Sequence, residues 1–168
     1  MSKVRDLAMF NLAIDSKLRS CDLVALRVDD ISFGGRVKSR AVIIQKKTKR
    51  PVQFELTEQT RDSVSAWIQK AARRSGDCLF PSRRRGGNSI STRQYARLVR
   101  RWVASIGLDP AAYGTHSMRR TKASLIYRRT GNLRAVQLLL GHTKLESTVR
   151  YLGIEVDDAL AIAEQVDI

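Results

Sequence analysis

The sequence predicts an α+β fold that is mainly helical, with a small antiparallel β-sheet near the N-terminal third. Two observations predict it. Apolar residues recur at helical spacing over most of the chain, whereas β-branched and alternating apolar–polar residues are concentrated between positions 31 and 56. The 168 residues, 43% of them hydrophobic, suffice for one compact domain with its own core.

Helical segments precede the sheet. Apolar spacing predicts a helix over residues 5–14 and a short helical segment over 22–26. Residues 33–36, Phe-Gly-Gly-Arg, predict a turn. The segments 41–44 and 52–56 predict two antiparallel strands, and the basic stretch between them predicts a hairpin.

After the sheet the pattern is helical to the C-terminus. Thr57 is placed to cap a helix that finishes near Gly76, and Ser91 begins the most regular helix, which extends through Ile106. Further helices are predicted over residues 117–129, 132–140, 148–152 and 156–166.

Positive charge is the strongest compositional signal. The chain has 31 Lys and Arg against 16 Asp and Glu, a formal net charge of +15. In a folded domain this favours binding to a phosphate backbone, because neutralising phosphates with basic side chains releases condensed counterions. A ribosomal-type or membrane-surface protein has the same charge balance, and composition alone does not separate these classes.

Other classes of protein are disfavoured. No apolar run approaches the roughly 18 residues of a membrane span, and the N-terminal residues lack an apolar signal core. We therefore expect a cytoplasmic protein that does not enter membranes. Cys21 and Cys78 lack metal-ligand spacing, so we expect no metal site and interpret both as small packing residues.

Both histidines lie in the last third of the chain. His116 precedes Arg119 by three residues at a predicted helix start, where free N–H groups and a guanidinium fork suit an anion. His142 follows a helix-ending glycine, and Tyr151 comes nine residues later. A tyrosine hydroxyl can act as a nucleophile. Taken alone, the His116–Arg119 spacing is more often an ordinary histidine at a helix start, and Tyr151 is also compatible with core packing.

Together and in order, these motifs resemble the tyrosine recombinase, or phage integrase, family. The matching elements are Leu18-Arg19 with Asp22-Leu23, Lys47 in the hairpin, His116-x-x-Arg119, Gly141-His142 and Tyr151. The resemblance covers nearly the whole chain. It implies a site-specific recombinase or integrase, with catalytic roles for Arg19, Lys47, His116, Arg119, His142 and Tyr151.

The resemblance assigns a role to each group. Tyr151 would attack the scissile phosphate, giving a 3′-phosphotyrosine and a free 5′-hydroxyl. Arg19 and Arg119 would hold the non-bridging oxygens, and Lys47 would protonate the leaving 5′-oxygen. His116 would take part in proton transfer.

Two further roles follow from the same resemblance. His142 would hydrogen-bond the phosphate, and Asp22 would support an active-site arginine from behind. Fixed cations would supply the charge neutralisation that Mg²⁺ provides elsewhere, so no cofactor and no metal are expected.

Double-stranded DNA is the expected partner, and nucleoid association in a prokaryote the expected location. Basic residues expected at the DNA backbone are Lys46, Lys49, Arg50, Arg83, Arg84 and Arg85. The family also implies self-association as a synaptic tetramer.

Residues 1–168 are expected to be the catalytic domain alone, beginning directly at its first helix, either as a short stand-alone recombinase or as a fragment of a longer protein. A separate core-binding domain or an accessory protein would then complete the grip on DNA. The tail over residues 155–168 is expected to dock either on a neighbouring protomer or on its own domain.

Three positions depart from the family pattern. Lys17 stands where glycine is frequent, Met118 replaces a leucine, and Arg120 stands where a second histidine is common. Lys17 is expected to hold a strained, left-handed backbone, whereas Met118 conserves volume.

Two other functions remain open on the sequence. One is a DNA-binding regulator or accessory module with this fold that does not recombine DNA. The other is supercoil relaxation of the type IB topoisomerase kind, which shares the chemistry but lacks a preferred DNA site.

Overall fold

The computed structural model describes residues 2–82 and 88–154. Its elements in chain order are α1 (Ser2–Ser16), α2 (Ser20–Leu23), α3 (Val28–Ile31), β1 (Ser32–Phe33), β2 (Arg36–Val37), β3 (Arg40–Ile44), β4 (Pro51–Glu55), α4 (Glu58–Lys70), α5 (Thr92–Ser105), α6 (Thr115–Thr130), α7 (Leu133–Leu140) and α8 (Leu145–Leu152). The α+β prediction is confirmed. The predicted helix 156–166, the tail 155–168 and the residues Arg83, Arg84 and Arg85 lie outside the described residues.

The strands form two separate antiparallel pairs rather than the one sheet that the sequence predicts. Strands β1 and β2 pair across a turn at Gly34 and Gly35, both of which have positive φ. In the second pair Arg40 of β3 lies opposite Glu55 of β4, and Ile44 lies opposite Pro51. Residues 45–50 therefore form the turn that projects from the second pair.

Two hydrophobic clusters hold the fold together. The larger one joins α1, α4, α5 and the β3–β4 pair, with Leu12, Phe54 and Val64 among its buried residues. A smaller cluster is formed by Ala123, Val136 and Leu140, and half-buried side chains of α6 and α8 pack on it. Helix α6 contributes Met118 to the larger cluster and Ala123 to the smaller one, so it ties the C-terminal helices to the rest of the domain.

Several predicted helix boundaries need correction. Helix α6 begins at Thr115 rather than near residue 117, because extended Gly114 serves as its N-cap. Helix α4 ends at Lys70, well before Gly76, and Ala72 just beyond it has a φ of 48°. The short segment predicted over 22–26 is α2, which lies two to three residues earlier.

The capping predictions have different outcomes. Ser91 caps α5 as predicted, accepting a hydrogen bond from the backbone N–H of Gln94 in a capping box. Thr57 occupies the N-cap position of α4, but its hydroxyl donates to the carboxylate of Asp15 at 2.7 Å instead of capping the helix.

Within the described ranges, the chain contains no helix with the length and apolarity to cross a membrane.

Candidate active site

Arg119 is the buried centre of the site. It lies one turn after His116 on α6 and is 4% exposed. Its Nε donates to the carbonyl oxygen of Lys17 at 2.7 Å, and its Nη2 donates to the carbonyl oxygen of Leu140 at 2.7 Å. Burial lowers the pKa of Arg119 to about 10, which leaves the guanidinium charged at neutral pH.

Arg19 approaches the same place from the N-terminal end of α2. Its side chain is half-buried, and Nη1 donates to Oε1 of Gln45 at 2.6 Å. Neither Arg19 nor Arg119 forms an ion pair with a carboxylate in the part of the chain that the structure describes. Both positive charges therefore stay available for an anionic ligand.

Lys17 has the left-handed backbone that the sequence predicts, with a φ of 54°. Its side chain is fully buried, and Nζ lies 3.1 Å from Oε1 of Glu55. Lys122 on α6 completes the group, at 2.7 Å from both Glu55 and Asp15. The carbonyl group that binds Arg119 thus belongs to a lysine that is anchored by a partly buried cluster of alternating charges.

Tyr151 on α8 faces these arginines. Its hydroxyl lies 3.5 Å from the carbonyl oxygen of His116, and the guanidinium carbon of Arg119 lies 5.4 Å from its ring centroid. Arg120 lies at 5.9 Å from the same centroid. Burial raises the pKa of the Tyr151 hydroxyl, while the charges of Arg119, Arg120 and Arg19 oppose that rise.

His142 packs edge-on against Tyr151, with ring centroids 5.4 Å apart and an interplanar angle of 84°. Its Nδ1 lies 3.1 Å from the hydroxyl of Thr148. Burial, followed by the charges of Arg119 and Arg19, lowers the pKa of His142 to about 4. The imidazole is therefore neutral at physiological pH.

Gly141 is what lets His142 reach this place. It has a φ of 64°, and a Cβ here would overlap Cγ2 of Val52 and lie 3.0 Å from Oε1 of Gln45. Only glycine fits both the left-handed backbone and this close approach.

His116 and Lys47 are less engaged than the other predicted site residues. The side chain of His116 is exposed, and it is the backbone carbonyl that contacts Tyr151. Lys47 is exposed in the 45–50 turn, and its ammonium group has no hydrogen-bond or ion-pair partner among the residues described.

Asp22 is buried beside the hairpin. The carboxylate is 3% exposed, and Oδ1 accepts a 2.9 Å hydrogen bond from the backbone N–H of Lys46. Its Oδ2 is buried without a hydrogen-bond partner in the described structure. Asp22 contacts the hairpin rather than an arginine, although its charge raises the pKa of Arg119.

The other basic residues of the hairpin, Lys46, Lys49 and Arg50, are exposed. Lys49 has a φ of 56° and donates its backbone N–H to the carbonyl oxygen of Gln45 at 2.9 Å. The turn thus presents a compact group of cations beside the site.

Gln45 is a residue of the site that none of the sequence motifs includes. Its side chain is 1% exposed and contacts Arg19, Thr48 and Leu140. A signal for it exists: Gln45 continues the alternation that buries Ala41 and partly buries Ile43, so a polar residue falls on the buried face of the strand.

Known sequences resemble this chain over most of its length. The model of the phage integrase family matches residues 1–156. The probable integrase/recombinase YoeC of Bacillus subtilis (strain 168) is 29% identical over 157 residues, which cover 94% of this chain and 82% of that protein. The tyrosine recombinase XerC of Caldanaerobacter subterraneus is 32% identical over 158 residues, covering 91% of this chain and 42% of that protein. The chain spans about half the length of the XerC proteins that it matches.

Solved structures share the fold. The crystal structure of XerA recombinase superposes with a TM-score of 0.78 and 19% identity, over 98% of this chain and 58% of that one. XerH site-specific recombinase, bound to its difH substrate in a pre-cleavage complex, gives a TM-score of 0.75 and 20% identity, over 96% of this chain and 46% of that one.

Proposed function

This chain belongs to the phage integrase family, and we propose that it cleaves and rejoins double-stranded DNA at specific sites through a 3′-phosphotyrosine on Tyr151. The observation that carries the proposal is that the Tyr151 ring packs against both the imidazole of His142 and the guanidinium of Arg119, each about 5.4 Å from its centroid. A tyrosine hydroxyl beside permanent cations suits attack on a phosphodiester, because the cations stabilise the charge that develops.

In the first step the oxygen of Tyr151 attacks phosphorus and the bond from phosphorus to the 5′-oxygen breaks. The electron pair of that bond goes to the 5′-oxygen, which takes a proton from Lys47. His116 takes the proton of the tyrosine hydroxyl. Attack by a second 5′-hydroxyl on the phosphotyrosine reverses these transfers, and the ester bond is conserved throughout, so no external energy source is needed.

Arg19 and Arg119 hold the non-bridging phosphate oxygens in this proposal. Their arrangement supports it, since both are fixed by neutral acceptors, Gln45 for Arg19 and backbone carbonyl groups for Arg119. A neutral acceptor orients a guanidinium without cancelling its charge. Preorganised charge of this kind contributes more in a partly buried site than in water.

His142 acts as a neutral hydrogen-bond donor. When the hydroxyl of Thr148 donates to Nδ1, the neutral ring carries its proton on Nε2. That proton is then available to a phosphate oxygen. The low pKa of His142 supports this role over one as a cation.

The partner in this proposal is duplex DNA, contacted by the hairpin residues Lys46, Lys49 and Arg50 and by the basic runs of the chain. The longer XerC relatives support a catalytic-domain assignment for residues 1–168. We also propose that several copies assemble on DNA and that an accessory protein or a separate core-binding domain takes part. The expected location is the nucleoid in the cytoplasm.

Trapping the covalent intermediate on random-sequence DNA tests the proposal. The protein is incubated with a pool of duplexes that carry a randomised segment and a nick, so that the short cleaved strand diffuses away. We expect a DNA adduct that survives detergent and whose sequences define a site. The adduct should vanish in Tyr151→Phe and persist in Tyr113→Phe, a change at an exposed tyrosine.

Three results would contradict the proposal in different ways. An adduct that survives Tyr151→Phe would exclude this nucleophile. Salt-sensitive duplex binding without any adduct would favour a DNA-binding module. Supercoil relaxation with no preferred sequence would favour a topoisomerase-like activity.

A further inference from the structure

The side chain of Gln45 contacts three parts of the candidate site. Its Oε1 accepts hydrogen bonds from Nη1 of Arg19 at 2.6 Å and from the hydroxyl of Thr48 at 2.9 Å. Its Nε2 lies 3.4 Å from the carbonyl oxygen of Leu140. These contacts join α2, the turn that carries Lys47, and the end of α7.

The backbone of Gln45 also closes that turn. Its N–H donates to the carbonyl oxygen of Arg50 at 2.9 Å, and its carbonyl oxygen accepts from the N–H of Lys49 at 2.9 Å. Thr48 is the residue after Lys47, so its hydroxyl bond to Gln45 fixes the tip of the turn. Oε1 of Gln45 therefore fixes the positions of both the Arg19 guanidinium and the turn that carries Lys47.

The link extends to the second arginine. The carbonyl oxygen of Leu140 accepts from Nε2 of Gln45 and also from Nη2 of Arg119 at 2.7 Å. The next residue, Gly141, leaves room for the amide, because a Cβ there would lie 3.2 Å from Nε2 of Gln45. Two acceptor atoms, Oε1 of Gln45 and the carbonyl oxygen of Leu140, thus hold Arg19, Arg119 and the turn. The side chain of Gln45 connects these two atoms.

We propose that Gln45 is a positioning residue that holds Arg19 and the Lys47 turn in register with Arg119. The inference rests on the proposed cleavage function and adds to it a group that does not itself touch DNA. Glutamine suits the task because a carboxylate at the same place would neutralise Arg19, and an apolar residue would leave the half-buried guanidinium of Arg19 without this acceptor.

Substitutions at both ends of the Thr48 bond test the inference. Gln45→Ala and Thr48→Val should slow adduct formation about tenfold or more at saturating DNA, while the Kd for the same duplex changes by less than about threefold. Thr48→Ser keeps the hydroxyl and should restore most of the rate. Gln53→Ala, at an exposed position on the same hairpin, is the matched control.

A changed leaving group separates the two effects inferred for Gln45, namely positioning the Lys47 turn and positioning Arg19. A duplex with sulfur in place of the scissile 5′-oxygen expels a thiolate, which needs no proton from Lys47. The defect of Thr48→Val should shrink on this substrate, as that of Lys47→Ala should, whereas Gln45→Ala should keep a residual defect through Arg19. If Lys47→Ala slows adduct formation as much on this substrate as on normal DNA, the general-acid part of the proposed function fails. The inference then depends on the hydrogen bond between Gln45 and Arg19.

The hydrogen bond between Gln45 and Arg19 can be measured without DNA. In ¹⁵N-labelled protein, hindered rotation of a bonded guanidinium separates its two Nη signals, and assignment by Arg19→Lys identifies those of Arg19. We expect separate signals in the wild type and averaged signals in Gln45→Ala. Averaged signals in the wild type would overturn the inference, as would adduct formation within about twofold of wild type in both Gln45→Ala and Thr48→Val. Because this readout needs no cleavage, it decides the role of Gln45 even if no adduct forms.

Discussion

Nε of Arg119 donates a 2.7 Å hydrogen bond to the backbone carbonyl of Lys17, a residue 102 positions earlier in the chain. The acceptor belongs to a left-handed residue whose ammonium group is buried against Glu55. With Nη2 held by Leu140, the guanidinium has two fixed edges, and Nη1 has no hydrogen-bond partner among the described residues. Nη1 is therefore the group that we expect to meet a phosphate oxygen.

Arg119→Lys should abolish most DNA cleavage while leaving DNA binding nearly intact. A lysine keeps the charge but lacks the planar fork that satisfies Lys17 and Leu140 together. We expect a loss of about 10²- to 10³-fold in the rate of adduct formation, measured with the trapped duplex, and a Kd close to that of the wild type. Arg128→Lys, at the exposed end of the same helix, is the control. Equal loss of binding and cleavage would contradict this role.

Glu55→Gln should destabilise the fold by leaving Lys17 as a buried cation with a weaker partner. Removing one member of a buried pair costs about 3–5 kcal/mol, and the partial exposure of Glu55 reduces this to about 2 kcal/mol. Adding Lys17→Met, which conserves volume, should recover the part of the loss that comes from the buried ammonium group, whereas the Lys122–Glu55 pair is lost in both variants. Urea unfolding of the single and double variants measures both effects. A double variant less stable than Glu55→Gln would contradict the pairing.

The sequence predicts the fold class, the order of the longer helices and the β3–β4 hairpin, because these depend on local periodicity and capping, whereas it predicts neither α3 nor the division of the strands into two pairs. The left-handed backbone of Lys17 is expected only from the family pattern, which frequently has glycine at this position. The function of Gln45 and the ion cluster of Lys17 could not be predicted in this way, since their partners lie far along the chain: Gln45 contacts residues 26 and 95 positions away. The alternation of β3 places Gln45 on the buried face of the strand, but only tertiary packing shows which groups its amide contacts. No hydrophobic pattern indicates that the side chain of Lys17 is buried.

His142→Gln should remove a part of the acid sensitivity of the fold. The pKa of His142 is about 4 in the folded state, below the ordinary value of 6.5, so between these values the unfolded chain binds the extra proton. The associated stability is present above about pH 6.5 and is lost as the pH falls toward 4. We expect the wild type to lose about 2 kcal/mol more than the variant over this range, after allowance for partial exposure.

Urea titrations at several pH values between 7 and 4 measure that difference. The carboxylates Asp15 and Glu55, whose pKa values are lowered, contribute their own acid sensitivity equally to both proteins. The comparison therefore isolates His142. Identical pH dependence in the two proteins would show that the imidazole is not desolvated as the structure indicates.

Neutralising the exposed cations of the hairpin should flatten the salt dependence of DNA binding. Each phosphate contact contributes about 0.9 to the slope of log K against log salt. The triple change Lys46→Gln, Lys49→Gln and Arg50→Gln should lower the slope by up to about 2.7 if all three meet the backbone. Binding to a duplex at several salt concentrations measures it, with Lys70→Gln, on the exposed end of α4, as control. An unchanged slope would place DNA away from this hairpin.

Gly141→Ala should destabilise the fold more than Gly131→Ala, although both glycines end helices with nearly equal φ, 64° and 62°. Ala in a left-handed backbone costs about 1–2 kcal/mol at either position. At Gly131 a Cβ meets nothing within 4 Å, so this is the whole cost there. At Gly141 the Cβ would overlap Val52 and crowd Gln45, which adds about 1–3 kcal/mol of overpacking. Urea unfolding measures the loss in unfolding free energy for each variant. Equal losses would mean that the β3–β4 pair does not pack closely against the loop that carries His142.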